Sequence, residues 1–591
     1  MPQKFLLLAV LLLLTGFVAA QTPTPTESPE DPAKLELQAV EFLRETSVEV
    51  SHLRTLENRI SFDSELASLM WFHDEKEARG MYSQVITDFK QLLTQFDTEM
   101  NAGTLASDDD DAGPGIFFGQ SSSVRRKFRI AMAVRQQIAT SLAEHAPDLA
   151  YNFFIDSGSQ VSNPELRKDV ERSDRNFEST LLQQIAESDP DKGLSYGKYS
   201  LKRGITPMHV EILRKLYAKD ADKGIDFGKS LLSAVSGDPK KVDNLDFYTS
   251  LLKFGDDNLA ASKKAGGKAP VYQRSDLRDI AELFYQAIMA DSHVPSYEID
   301  SYISAVEKYA PSRGAQLRTK FKVDSMPNGS TMAMNIASNA ILPPAPAPAR
   351  SNTNTTETPY ERERREREAE AKAYEKQIDD VKKLGSSNLP KAERDAVIAQ
   401  ARKKIAATKG KDKKLAALTL LAAQVKKAGD TDLAAEIMRD AEHLVNPTPT
   451  NYQDYLFTWM LASGYAETDP DKAFPLLEST INRANETIAA FVKVAEFIDV
   501  QKELIDDGEV QVGMFGGEMI RGMTRELGLG SGTIKTLVNA DFAKTRDLTN
   551  AFDRTETRVL AKMMVLRVIL DKSSTAKPKD TDTKLITDVG D

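Results

Sequence analysis

Two stretches nearly 300 residues apart, Ala186–Gly193 (AESDPDKG) and Ala466–Ala473 (AETDPDKA), almost repeat each other, and their shared core restricts what the chain can build around it. An Asp placed before a helix accepts from the unpaired N–H groups of its first turn. Pro is at home in the first helical position, where its missing N–H has no partner to lose. A second Asp in the first turn suits the positive end of the helix dipole. Gly or Ala just inside the helix removes a side chain that would hold it away from the helix before it. The pattern therefore predicts Pro190 and Pro470 in first turns, with Gly193 and Ala473 facing the preceding helix.

The same turn, a small residue followed by an apolar one, recurs in looser form. It is found at Ala78 (HDEKEARGMY), Ala150 (HAPDLAYNFF), Gly224 (KDADKGIDFG), Gly314 (YAPSRGAQLR) and Ala434 (GDTDLAAEIM). Neighbouring spacings are 43 residues from Ala150 to Gly193, 31 from Gly193 to Gly224 and 39 from Ala434 to Ala473. Two-helix repeats run at roughly 34 to 47 residues. Between the turns, helical spacing dominates. Leu415, Leu418, Ala422 and Val425 fall at steps of three and four, Lys426 and Lys427 gather at the negative end, and Gly429 can cap it. Leu433, Ile437, Ala441 and Leu444 begin a second stripe. No sustained alternation of Val, Ile, Thr and aromatics signals a strand.

The segment KKAGDTDLAAEIMRDAEHLVNPTP, residues 426–449, resembles the turn and second helix of a tetratricopeptide repeat, with a Gly-Asp turn, an Ala-bearing helix and a following Pro. The Trp-Leu-Gly and Tyr positions of that family's first helix are not met consistently, and the unit length drifts. The resemblance, shared with exported bacterial helical-repeat proteins, implies helix pairs stacked into a curved array with a concave surface, and it brings no catalytic residues.

The expected fold class is all-α, an α-solenoid of antiparallel helix pairs in two segments joined by a Pro-rich linker. The N-terminal helical-repeat domain is placed at residues 33–322. The linker is residues 323–359, where Pro343, Pro344, Pro346 and Pro348 favour extended chain. A charged helix and the C-terminal helical-repeat domain occupy 360–572, and a disordered tail follows at 573–591. The charged helix (YERERREREAEAKAYEKQ) carries Glu361/Arg365, Glu363/Arg367 and Glu368/Lys372 at i,i+4, which suits either a solvated lead-in or a partner-binding helix.

At the N-terminus, Lys4, the apolar run from Phe5 to Ala20, and Val18 and Ala20 before a Pro/Thr-rich stretch read as a secretory signal peptide at residues 1–20, followed by a linker at 21–32. The run is short for a membrane span of about 20 residues; an uncleaved anchor is the alternative. No later stretch is apolar enough to span. Export to the periplasm or beyond the cell is the expectation. With no cysteine, disulfides, thiolate chemistry and zinc fingers are excluded, so packing must hold the chain, and 41% hydrophobic residues supply the material. A net charge of −11 opposes nucleic acid and anionic lipid, and the brief basic run VRRKFR at 124–129 fits one helix face.

Among candidate sites, Asp108–Asp111 is the natural place for a divalent cation, but counting from Asp108 puts Gly113 at loop position six and Gly119 where an EF-hand needs Glu. The six histidines (His52, His73, His145, His209, His293, His443) form no H-E-x-x-H, and helix capping is the simplest role for His73 and His145. GLGSGTIKT (528–536) lacks the contiguous Gly-Lys-Ser/Thr of a phosphate loop and reads as a hinge. The Gly/Met-rich stretch at 511–528 offers an adaptable apolar surface. Trp71 and Trp459 read as packing residues. No catalytic, metal or cofactor residue is nominated. The expected function is a non-enzymatic scaffold for protein partners; the alternative is a glycan- or peptide-cleaving envelope enzyme with carboxylates in the concavity, and a third reading is a cation-responsive module at Asp108–Asp111.

Overall fold

The computed structural model describes residues 32–106, 117–264, 268–291, 294–295, 297–322, 390–497, 505–516 and 531–571, with isolated positions between 365 and 382. The signal segment, the Asp108–Asp111 run, His293, the 323–359 linker and the tail lie outside the described residues. Helices α1 Pro32–Val50, α2 Leu56–Met70 and α3 Glu75–Ala106 come first. They are followed by α4 Phe117–Ala143, α5 Pro147–Ser159, α6 Pro164–Ser188, α7 Pro190–Ser200, α8 Met208–Lys219 and α9 Ala221–Gly237. Next are α10 Asp246–Ser262, α11 Arg274–Ala290, α12 Ile299–Glu307 and α13 Pro311–Phe321. Then come α14 Lys391–Ala407, α15 Lys411–Lys427, α16 Thr431–Glu442, α17 Tyr452–Thr468 and α18 Pro470–Phe497. A two-stranded hairpin, β1 Ile505–Asp506 and β2 Glu509–Val510, precedes α19 Ser531–Ala540, α20 Phe542–Thr549 and α21 Thr555–Leu570. The fold is all-α, packed as adjacent helix pairs in a solenoid-like manner.

The octapeptide turns out to be a joint of one residue. Asp189 ends α6 and caps α7: its N–H bonds back to the Ile185 carbonyl at 2.7 Å, while its carboxylate accepts from Asp191 N and Lys192 N at 3.1 Å each. Asp220 does the same between α8 and α9, accepting from Asp222 N and Lys223 N at 3.1 and 3.2 Å. Asp469 stands alone between α17 and α18, and Asp541 between α19 and α20. Pro190 and Pro470 open their helices as expected. With so short a joint the two helices nearly touch, and a Cβ on Gly193 would lie 2.6 Å from Ala186 Cα. On Gly224 it would lie 2.5 Å from Tyr217 Cα. Ala473 and Ala466, at the same separation of seven, are both fully buried.

Contacts divide the chain into two compact units, Met1–Gln95 with Thr355–Asp591, and Phe96–Asn354. The second unit is a row of five pairs, α4/α5, α6/α7, α8/α9, α10/α11 and α12/α13, in which each first helix packs beside the first helix of the next pair. Arg135 of α4 is wholly buried in it, bonded to Ser157 Oγ at 2.8 Å, to Asp174 and to the Phe154 carbonyl, so its charge is paired rather than stranded.

The first unit repeats the scheme with α15/α16, α17/α18 and α19/α20, and α14 packs on α15. The row of first helices continues from α19 to α21, whose second helix is α1, from the opposite end of the chain. This split pair is antiparallel: Glu49, near the end of α1, takes the buried Lys562 Nζ at 2.8 Å and Arg558 Nε at 3.3 Å, near the start of α21. Helix α2 then packs beside α21 as the next first helix of the row. The sequence suggested a division at the Pro-rich stretch alone, with residues 33–322 as one domain; the contacts instead group the first helices with the C-terminal array. Nothing local in residues 32–95 announces this, because the partners that hold them lie more than 450 residues away. Of the charged helix, the described positions 365, 368, 372, 375, 376, 379 and 382 are exposed and Val381 is buried in the core of this unit.

Candidate functional site

Helix α18 buries Ala473, Phe474, Leu477, Ile481, Ala484 and Ile488 in the first unit's core. That commits one face at helical spacing and leaves the opposite face outward. The outward stripe, Pro475, Glu478, Ser479, Asn482, Arg483 and Glu486, lines an open groove of about 420 Å³. Pro475 stands inside the helix and has no N–H to offer the Asp471 carbonyl one turn back, which loosens the first turns beside the groove. Among the described residues Glu478, Arg483 and Glu486 enter no ion pair, and the Asn482 amide has no bonded partner. The groove thus presents two carboxylates, a guanidinium, an amide and a hydroxyl, all available to a ligand.

The charged groups near the joints contrast with these. Lys192 Nζ reaches Asp148 Oδ1 of the preceding pair at 3.1 Å, and Lys223 Nζ reaches Asp191 Oδ2 at 2.8 Å. In the first unit Lys544 Nζ reaches Asp471 Oδ1 at 2.9 Å. Each lysine also approaches its own joint Asp, at 4.0, 3.3 and 3.5 Å respectively. At Lys192, Lys223 and Lys544 the Lys after the joint and an Asp of the preceding pair therefore form rungs of a ladder along the second helices, whereas Lys472 of the second octapeptide approaches its own joint Asp469 at 4.0 Å. Asp191 holds the Lys223 amine above its usual range, and Asp471 does so for Lys544. This role was not legible in the sequence, because the partner of each lysine sits 32 or more positions away at a spacing that varies.

The remaining candidates resolve into internal contacts. His209 is buried; its Nδ1 accepts from Thr206 N at 3.1 Å, so Nε2 carries the proton and faces Ser200 Oγ at 3.1 Å. Burial, with help from the Arg203 cation, pushes it down to about 4. His73 Nδ1 meets Glu36 Oε1 at 3.1 Å, a tertiary contact rather than the helix cap expected of it. Trp459 is buried, and Trp71 lies 6.0 Å from Tyr82 with the Arg79 guanidinium 5.1 Å from its ring. Ser531 to Thr536, the described part of GLGSGTIKT, form the first turns of α19. Residues 511–516 of the Gly/Met-rich stretch run along α2, with Met514 N bonded to Ser61 Oγ at 2.9 Å.

Two carboxylate pairs bear on the cleavage alternative. Glu478 and Glu486 are eight residues apart on one helix, about 12 Å of backbone rise at 1.5 Å per residue. Asp63 and Asp88 lie buried between α2 and α3, not among the residues that line the α18 groove. Asp88 accepts from Arg59 Nε at 2.9 Å and Gln84 Nε2 at 2.8 Å, while Asp63 Oδ1 has no partner. Burial, then the like charge of Asp88, pushes Asp63 up to about 7.

No protein-family model and no curated protein matches this chain. Among solved structures it is similar to a circular tandem repeat protein with novel repeat topology and enhanced subunit contact surfaces. The identity there is 12%, the match covers 91% of this chain and 99% of that one, and the TM-score is 0.13. So low a score adds nothing to the helix pairing described above. Among the described residues no helix is long and apolar enough to cross a membrane, and no group of His, Cys, Asp or Glu is placed to hold a metal ion.

Proposed function

We propose that this chain is an exported, non-enzymatic, tetratricopeptide-like scaffold that binds protein partners in the cell envelope or outside the cell, with the outward face of α18 as one contact surface. The carrying observation is the contrast between two sets of charges. Those of the joints bond to each other, whereas among the described residues Glu478, Asn482, Arg483 and Glu486 line a groove with no side-chain partner of their own. A polar peptide segment suits such a face, because it can pair a carboxylate with Arg483 while its backbone bonds to Asn482 and Ser479. Repeat arrays offer surfaces of this kind repeatedly.

The test is affinity capture from an envelope fraction by the immobilised full-length chain, beside Arg483→Glu and Asn482→Ala variants. A partner recovered by the wild-type chain and lost by both variants supports the assignment. Recovery that is equal for all three, or no recovery above background, overturns it.

A further inference from the structure

The connection from α18 to α19 is longer than the one-residue joints by more than thirty residues, and its described part does not follow the array. Asp507 and Gly508, both at positive φ (45° and 71°), form the two-residue turn of the hairpin, a conformation that Asp-Gly favours. Beyond it, residues 509–514 run along α2. Glu509, buried, accepts from Arg54 N at 2.6 Å, Thr55 N at 3.1 Å and Thr55 Oγ1 at 2.9 Å, and so caps the start of α2 with its carboxylate. One turn on, Asn58 Nδ2 donates to the Val510 carbonyl at 3.0 Å and Asn58 Oδ1 accepts from Val512 N at 3.2 Å. Ser61 Oγ then accepts from Met514 N. On the other side Val510 N donates to Glu556 Oε1 of α21 at 3.2 Å, and Arg554 donates to the Gly508 carbonyl. One short segment thus ties together the starts of α2 and α21.

We propose that residues 505–516 are a strap that opens and closes the seam of the first unit, so that α1 and α2 detach from α21 and rejoin it as one block. Three features lead there. Among the described residues of this unit, the seam pair, α21 with α1, is the one pair whose two helices lie far apart in the chain, so no joint links them directly. The polar bonds that do hold it are those of the strap, of Glu49 with Lys562 and Arg558, and of Glu65 with Arg567, and of these only the strap reaches the starts of both α2 and α21. The strap fits α2 closely, since a Cβ on Gly513 would overlap the Ser61 side chain. A chain made from its N-terminus therefore cannot close this seam until α21 exists, and the strap, made shortly before α21, completes the closure.

Amide hydrogen exchange on the full-length chain tests this. Glu509→Ala is expected to raise exchange in α1, α2 and α21 together, about tenfold or more given the strength of bonds to a charged acceptor. Helices α15 to α17 and the whole second unit keep their rates. Gly513→Ala, which leaves the carboxylate in place and acts by steric overlap, is expected to give the same pattern, and Glu509→Gln a weaker form of it. Unchanged rates in α1 and α21, a rise confined to the first turn of α2, or a uniform rise across the first unit overturns the proposal.

Discussion

At the scale of single residues, two buried groups give the two units opposite responses to pH. His209 titrates near 4 in the folded chain and near 6.5 when exposed, so the unfolded second unit takes up a proton first as pH falls. Its contribution is complete above pH 6.5 and is lost between there and about 4, in total about 3 kcal/mol at 1.36 kcal/mol per pKa unit. Asp63 runs the other way. Its folded value of about 7 against 3.8 means that stability present below pH 3.8 is lost as pH rises through 7. Asp63→Asn is therefore expected to raise the thermal midpoint of the first unit at pH 8 and to leave it nearly unchanged at pH 4. The second unit should lose stability between pH 7 and 4.5 in both chains. Melts followed by domain-specific probes at three pH values check both; an Asp63→Asn midpoint that does not move at pH 8 refutes the assignment of Asp63. Neither group was visible beforehand, because His209 and Asp63 differ from exposed His and Asp only in what packs over them.

At the scale of the helix pair, the joint was legible in nearly every respect that depends on neighbours in the chain. The capping Asp, the opening Pro and the small residue were each readable from local helix chemistry. The ladder was not, since it joins consecutive pairs, and neither was the hairpin, although Asp507-Gly508 carries the strongest two-residue hairpin signal. The magnitudes separate fit from charge. Lys223 and Asp191 are partly and largely exposed, so solvent screens a rung of this kind and it contributes little. Closing space against backbone costs more: Gly224→Ala and Gly193→Ala are expected to lose roughly 1–3 kcal/mol each. Gly237→Ala, with nothing within 4 Å of its Cβ, is the control and should be neutral or slightly stabilising. Urea midpoints of the second unit decide; equal effects at Gly224 and Gly237 rule out close approach at the joint.

At the scale of the whole chain, the split pair was beyond any reading of sequence, because helices α1 and α21 look like unremarkable ends. Glu49 meeting Arg558 and Lys562 sets the two helices antiparallel, which places the end of α21 beside the start of α1, where every other pair has its joint. Supplying that joint should be harmless. A circular permutant that begins at Thr355, joins Asp571 to Pro32 through a short Gly/Ser linker and ends at Lys322 is expected to fold with the same helix content. Its first unit should melt no lower than in the natural order, as read by circular dichroism and calorimetry. Loss of cooperative melting in that unit would show that the two ends do not form a pair.

The one-residue joint also bears on how such a chain survives among proteases. These enzymes bind several consecutive residues in extended form, and cleavage concentrates at exposed loop tips. Asp189, Asp220, Asp469 and Asp541 each have regular helix directly on both sides. A cut at any of them requires both flanking helices to unwind by a turn or more. Resistance to digestion is thus built into the connection itself, without a disulfide.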